Sequence, residues 1–372
     1  MRILIAAGIY PPDVGGPATH VKKLADGFKL AGWETRVVTY GNPVDPEVFG
    51  VSRKIPFGLR HFFYFAKCLG AAWDSDIIYA QDATAVGLPA LLTAKIFRKR
   101  FFIRIGGDIL WERAVERDKY FVSVSEYHQQ GLHLIDRPII YRLIKYILIN
   151  SEGIVVTTSL LKDIYTNFYG INPEKIKIIL NPTMIRPELE VNNSLGQGII
   201  LFAGRFVAYK NLEFLIRVFD KARQKLFMGE LCLIGQGPDK IKLEKVAKTL
   251  ASANHITIQP ALPQKELFEK IHQAMICIGP ALTEFNPNFI LECLSFGKPV
   301  LLSRENGLSV KLPEDFLFDP RNENELEQKI TNLFNYQRYQ DAVKKISAIK
   351  VNRHWDDVIK DHLEIFKTSS TL

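Results

Sequence analysis

At 372 residues the chain exceeds what one ordinary core holds and suits two domains. Hydrophobic residues make up 47% and charged residues 24%, a balance that excludes a disordered or fibrous chain. The net charge of +8 is spread out, without a compact Lys/Arg run and interleaved aromatics, so it points to a phosphorylated ligand or anionic lipid and away from nucleic acid. The four cysteines, Cys68, Cys232, Cys277 and Cys293, have no metal-like or redox spacing. The last three sit in apolar runs and read as buried core thiols in a reducing compartment. The chain enters a strand at once, so no signal peptide is expected, and no apolar run is long enough to span a bilayer. The expected location is cytoplasmic, with room for peripheral contact at the inner face of a membrane.

The chain opens with strand, glycine loop, helix and strand. Residues 2–7 form a short apolar strand, residues 8–16 a loop rich in Gly and Pro, and residues 17–31 an amphipathic helix stopped by Gly32. A second strand at 35–40 completes a βαβ unit and argues for a parallel sheet. Further strands fit 76–80, 101–105, 153–157 and 176–180, with helices at 87–97 and 139–149. The segment 57–67 mixes aromatics with cations, as does 139–146, so each reads either as core or as an interfacial helix.

Residues 183–197 are polar and aperiodic and read as a linker. The alternation then restarts. Strands fit 199–203, 230–234, 256–258 and 274–278, and helices fit 211–224, 241–250 and 264–272. The strand at 274–278 leads into Glu284 and Glu292, separated by a predicted helix start. Asn286 is expected as its N-cap, Pro287 as its first helical residue and Gly297 as its stop, before a strand at 299–302. A long helix at 355–366 ends the pattern. The fold class is α/β, with two tandem Rossmann-like doubly wound domains facing across a cleft: 1–182, the linker 183–197, 198–350, and a C-terminal segment 351–372.

Several constellations carry chemistry. The helix start at 286–289 (Asn286, Pro287, Asn288, Phe289), with the free N–H groups that its non-proline residues offer, forms an anion site flanked by Glu284 and Glu292. Carboxylates accept hydrogen bonds from hydroxyls while a helix end takes phosphate, which suits a nucleotide-sugar. The run Gly204-Arg205-Phe206-Val207-Ala208-Tyr209-Lys210-Asn211 follows a strand and places two cations on its exit loop. A guanidinium fork and a mobile ammonium suit a diphosphate. Gly15-Gly16 allows close backbone approach at the head of the first helix, but is not the dinucleotide fingerprint, so no nicotinamide cofactor is indicated. Gly235 and Gly237 form another strand-exit turn, read as lining a cleft. Asp108 either caps the helix that follows or binds acceptor hydroxyls or a proton, with Glu112 beside it. His20 and the other histidines have no ligand spacing.

These residues, in this order, give the chain a resemblance to the glycosyltransferase family four group with the GT-B fold, over nearly its whole length. The matching pieces are Gly15-Gly16 with Val21 and Leu24-Ala25, Gly204-Arg205 with Lys210-Asn211-Leu212, Gly235-Gln236-Gly237, Glu284 with Glu292, and Gly297-Lys298-Pro299-Val300. The segment from Trp355, within 351–372, resembles the C-terminal helix that crosses back to the first domain in that fold. The resemblance implies retaining transfer of a sugar from a nucleoside-diphosphate sugar to a glycan or lipid-linked acceptor, with no metal and no further cofactor. It implies that Arg205 and Lys210 stabilise the leaving diphosphate, Glu292 binds the ribose, Glu284 contacts sugar hydroxyls and Gly16 lies near the donor phosphates or acceptor. The chain departs from the family pattern in three places. Ile105-Gly106-Gly107 stands where a histidine is usual, Phe285-Asn286-Pro287 where Gly-Phe-Gly is usual, and Asn181-Pro182 where Asn-Gly is usual. Two other functions share these features: a non-catalytic nucleotide-sugar-binding partner of another transferase, and a nucleotide-sugar epimerase.

Overall fold

The computed structural model describes residues 1–13, 15–183, 198–226 and 228–368. Apart from Thr183, the linker read at 183–197 lies outside the described residues. In chain order the first part runs β1 (Arg2–Ala7), α1 (Gly16–Leu30), β2 (Glu34–Tyr40), β3 (Val48–Val51), α2 (Phe57–Ala72), β4 (Ile77–Ala80), α3 (Gly87–Phe97) and β5 (Arg100–Ile105). It continues with α4 (Ile109–Glu116), α5 (Val124–Gln129), α6 (Leu132–Asp136), α7 (Pro138–Ile149), β6 (Gly153–Val156), α8 (Ser159–Asn167) and β7 (Ile176–Ile178). The second part runs β8 (Ile199–Arg205), α9 (Leu212–Leu226), β9 (Glu230–Gln236), α10 (Lys240–Lys248), β10 (Ile256–Gln259), α11 (Gln264–Gln273) and β11 (Ile276–Gly279). After it come α12 (Asn288–Ser295), β12 (Val300–Ser303), β13 (Leu317–Phe318), α13 (Glu323–Leu333), α14 (Tyr336–Ser347) and α15 (Trp355–Thr368).

The chain forms two compact units. The first holds Met1–Leu110, Gly131–Pro182 and His354–Leu372; the second holds Trp111–Gln130 and Thr183–Arg353. The segment Trp111–Gln130 therefore groups with the second unit, although the sequence places it inside a first domain of 1–182. Among the described residues, the first unit's sheet has the parallel order β3-β2-β1-β4-β5-β6-β7, and the second unit's sheet β10-β9-β8-β11-β12-β13. Strands such as Ile-Cys-Ile-Gly of β11 are buried at every position. This is why they read as continuous apolar runs and not as alternating ones.

Each sheet has its own core. In the second unit, α9 turns Leu212, Leu215, Ile216 and Phe219 onto the sheet, a spacing of three and four residues that makes one helix face. In the first unit, α15 closes the core built on Phe28, Trp33, Tyr79 and Phe102. Its Phe366 ring lies 4.9 Å from Phe102 and 5.1 Å from Tyr79. His362 sits against the Val358 carbonyl through Nδ1 at 2.7 Å, so that nitrogen carries the proton, and Nε2 accepts from the Tyr79 hydroxyl at 3.0 Å. Cys68, Cys277 and Cys293 are buried free thiols; Cys232, expected in the core, is only half-buried.

Candidate functional site

The second sheet reverses its strand order between β8 and β11. Such a reversal leaves a crevice at the strands' carboxyl ends, where doubly wound domains take ligands. Arg205 is the last residue of β8, and Ala208–Lys210 follow as one 3-10 turn. Asn211 ends the turn in the left-handed conformation, at φ 55°, which Asn tolerates better than most residues. Its Nδ2 donates to the Pro320 carbonyl at 2.7 Å, fixing the end of the turn. Across the crevice, the Leu282 N–H donates to the Tyr209 carbonyl at 2.9 Å. The Glu284 N–H donates to the Glu305 carbonyl at 3.2 Å, and the Glu284 carbonyl accepts from the Gly307 N–H at 2.6 Å. Main-chain bonds thus lace together the two loops that carry the charges.

Lys210 Nζ donates to both carboxylate oxygens of Glu284, at 2.7 and 2.8 Å. Their side chains are 17% and 7% exposed, so the pair is largely withdrawn from water. Taking either partner away would leave a buried charge uncompensated. The sequence places these two residues on a diphosphate and a sugar; the structure joins them to each other. Arg205 Nη2 donates to the Tyr209 hydroxyl. The Arg205 guanidinium and Lys210 Nζ lie 5.7 and 5.6 Å from the Tyr209 ring centre, so one buried ring steadies both cations. Burial, aided by the Glu112 carboxylate, pushes the Tyr209 phenol well above its usual range. Tyr209 was not singled out in the sequence; an aromatic between two cations was the available signal.

Glu292 is held differently. It is buried within α12, and Gln264 Nε2 donates to its Oε1 at 3.0 Å. Burial pushes its carboxyl up to about 7, with the Gln264 hydrogen bond pulling the other way. Nothing in the sequence marks Gln264, because it comes from α11, a different helix. The start of α12 needs a correction. Pro287 occupies the cap position, extended and without a side-chain cap bond, and the helix begins at Asn288. Asn286 therefore does not cap. Phe285 is buried edge-on against Trp111, ring centres 5.8 Å apart, and this anchor holds the next two residues outside the helix. The buried Oδ1 and Nδ2 of Asn286 have no protein partner. A buried amide left so is costly and suits a polar ligand. Asn288 is exposed and Phe289 half-buried at the uncapped helix start.

Gly235 and Gly237 answer a packing need. A Cβ at Gly235 would lie 1.8 Å from the Gly204 carbonyl oxygen, and one at Gly237 would lie 2.1 Å from the Phe206 carbonyl oxygen. The last residues of β8 and β9, and the loops that leave them, touch backbone to backbone, which only glycine permits. In the first unit, Gly15 precedes α1 without a side-chain cap bond, and a Cβ at Gly16 would meet nothing within 4 Å. The head of α1 is therefore open to an anion. Asp108 is fully buried just ahead of α4. His20 is buried against Trp355, ring centres 5.2 Å apart.

The segment Trp111–Gln130 supplies contacts that sequence reasoning missed. Trp111 is fully buried, 5.4 Å from the Tyr209 ring, and its Nε1 donates to the Val122 carbonyl at 2.8 Å. Glu305 accepts from the Ser123 hydroxyl at 2.9 Å, the Ser125 N–H at 3.2 Å and the Thr283 hydroxyl at 2.7 Å. Arg321 holds both oxygens of Glu126 at 2.9 and 3.0 Å. These bonds fasten the segment beside Tyr209 and next to Glu284. Among the described residues, no group of three or more His, Cys, Asp or Glu is placed to hold a metal ion. No described helix is long and apolar enough to cross a membrane.

Comparison with known proteins agrees with this architecture. Residues 14–183 match the profile of "Glycosyltransferase Family 4" and residues 186–348 that of "Glycosyl transferases group 1". The chain is 22% identical to an uncharacterized glycosyltransferase of Methanocaldococcus jannaschii, over 99% of this chain and 98% of that protein. It is also 22% identical to a component of the human phosphatidylinositol N-acetylglucosaminyltransferase, over 85% of this chain and 64% of that protein. The crystal structure of Anabaena HepE in complex with UDP superposes with a TM-score of 0.74 at 16% identity, covering 100% of both chains. WaaG, a glycosyltransferase involved in lipopolysaccharide biosynthesis, gives 0.74 at 15% identity, over 98% of this chain and 99% of that one. Its two doubly wound units have the GT-B fold, and the chain belongs to the family four glycosyltransferases.

Proposed function

We propose that the protein moves a sugar from a nucleoside-diphosphate sugar to a hydroxyl of a glycan or lipid-linked acceptor, with retention at the anomeric carbon and without a metal. The observation that carries this reading is the buried Lys210–Glu284 pair beside Arg205. A donor diphosphate would draw Lys210 toward itself and free the Glu284 carboxylate for sugar hydroxyls. As the bond from the anomeric carbon to the diphosphate oxygen breaks, negative charge gathers on that oxygen, and Lys210, drawn over from Glu284, meets it together with Arg205. The acceptor oxygen bonds to the same carbon on the leaving-group face, and its proton passes to the departing phosphate. Glu292 would accept from the ribose hydroxyls, and the uncapped start of α12, with Asn286 and Asn288, would take phosphate or sugar.

UDP in the HepE structure and UDP with glucose in its second complex support a nucleotide donor. The inositol-lipid relative supports a lipid-linked acceptor. The corresponding place of work is the cytoplasm, in peripheral contact with the inner face of a membrane. The test is turnover in a panel of UDP-, GDP- and ADP-sugars with hydroxyl acceptors. Transfer with retained anomeric configuration is expected for at least one donor. Binding without transfer or hydrolysis for any of them would leave a non-catalytic nucleotide-sugar protein instead.

A further inference from the structure

The amino-terminal ends of β5, β6 and β7 lie at the end of the first sheet opposite to its ligand loops. A shallow depression of about 330 Å³ opens there. Five cations line it, Lys95, Arg98, Lys99, Arg100 and Lys175, against one carboxylate, Glu152. That carboxylate is already engaged by Arg100, whose Nε and Nη2 reach its Oε1 at 2.9 and 2.8 Å. Lys95 donates to the Tyr146 hydroxyl and Asn150 Oδ1, both at 2.8 Å, and Lys175 to the carbonyls of Ile149 and Ser151, both at 3.1 Å. These neutral partners leave both ammonium charges uncompensated. Arg98 ends α3 in the left-handed conformation, at φ 52°, and is exposed.

Beside the depression the surface is apolar. α7 turns Ile139, Arg142, Tyr146 and Ile149 outward, at steps of three, four and three residues, which is one helix face. Ile139 is 77% exposed and Ile149 49%. The neighbouring α3 adds exposed Leu92 and Ile96, and its Lys95 Nζ lies 4.7 Å from the Tyr146 ring centre, joining the two helices. Apolar residues grouped around unneutralised cations mark an interaction surface. A bilayer with anionic lipid answers both features. Headgroup phosphates meet the cations, isoleucines enter the acyl boundary, and a tyrosine suits the interface. The aromatic helix α2 also exposes Phe62 and Phe63, but its Arg60 is drawn over the Tyr40 ring, 5.2 Å from its centre, and Lys67 is the exposed cation beside them, against five cations around the depression.

We propose that the outer faces of α3 and α7, with the cationic depression beside them, dock this protein on an anionic bilayer. This gives a site to the membrane contact included in the proposed function, and it is measured without turnover, so the two readings fail separately. The experiment is flotation of the full chain with vesicles of phosphatidylcholine alone, or of phosphatidylcholine and phosphatidylglycerol in equal parts. Binding to the anionic vesicles only, weakening with added salt, is expected. Arg98→Glu with Lys99→Glu should lower the partition constant by about 25-fold or more, at about fivefold for each cation removed. Ile96→Ser with Ile149→Ser should weaken binding while leaving its salt dependence in place. Phe62→Ser with Phe63→Ser should leave it unchanged; circular dichroism reports whether each variant is folded. Flotation with neither vesicle, equal flotation with both, or loss only in the α2 variant would overturn the proposal. So would inorganic phosphate binding at the depression without flotation, which would assign the depression to a soluble anion.

Discussion

The charged residues of the crevice divide into one carboxylate that has a cation and one that has none. Glu284 holds Lys210 through both oxygens. Replacing either residue by Ala should destabilise the protein by about 3 kcal/mol, because the other charge stays buried, while replacing both should do less harm than the two single changes added. Urea unfolding of the three variants measures this. Lys210→Ala should also slow transfer by about 100- to 1000-fold if it meets the leaving oxygen. Glu292 lacks a cation among its described contacts, and burial raises its folded pKa from 4.5 to about 7. Between these values the folded state keeps the proton and the unfolded state has lost it. The stability carried by the neutral form is therefore full below pH 4.5 and is lost as pH rises to about 7. Above that, the buried charge costs roughly 3 kcal/mol, so Glu292→Gln should raise Tm at pH 8 and leave it nearly unchanged at pH 4. Nucleotide hydroxyls favour the charged form, so nucleoside diphosphate binding should strengthen through pH 7 in the native protein more than in Glu292→Gln. Isothermal titration across that range checks the difference.

At the scale of elements, the strands legible in the sequence were short apolar runs, of which β4, β6, β11 and β12 are buried at every position, and their exit loops were legible from glycine. Gly237 shows what the sequence left out. Its spacing suggested a turn, but the reason for glycine is a carbonyl on another strand's loop, since a Cβ there would sit 2.1 Å from the Phe206 oxygen. Gly237→Ala should destabilise the second unit by about 3 kcal/mol, at the upper end of overpacking effects, and thermal unfolding reads it. Asn286 shows the opposite failure. Its local pattern fits an N-cap, yet Phe285, packed on Trp111, outweighs that preference and moves the helix start one residue on. Trp111, Thr283 and Glu305 were invisible for the same reason: their partners are far apart in sequence. Short β3 and β13 and the polar helices α13 and α14 also escaped notice, lacking long apolar runs.

At the scale of the whole chain, neither unit is contiguous. The first is completed by His354–Leu372 and the second by Trp111–Gln130. The completing pieces are not ornaments. α15 buries Val358, Ile359, His362 and Phe366, and a Cβ on Gly27 would lie 2.4 Å from the Ile359 side chain, so α1 accepts α15 only through that glycine. Arg100 Nη1 also donates to the Phe366 carbonyl at 2.7 Å, satisfying a helix end. A chain ended after Arg353 would leave Phe28, Trp33, Tyr79 and Phe102 without the rings that cover them. Loss of Phe366 alone, as Phe366→Ala, should cost about 3–5 kcal/mol. The truncated chain should therefore show a first unit that binds a hydrophobic dye and exchanges its amide hydrogens freely. The second unit should keep its protection and its affinity for nucleoside diphosphate, since Trp111–Gln130 still lies within the shortened chain. Hydrogen exchange resolved by segment distinguishes the two. Loss of protection in β8 through β12 as well would mean that the units depend on each other for stability, against what their separate cores imply.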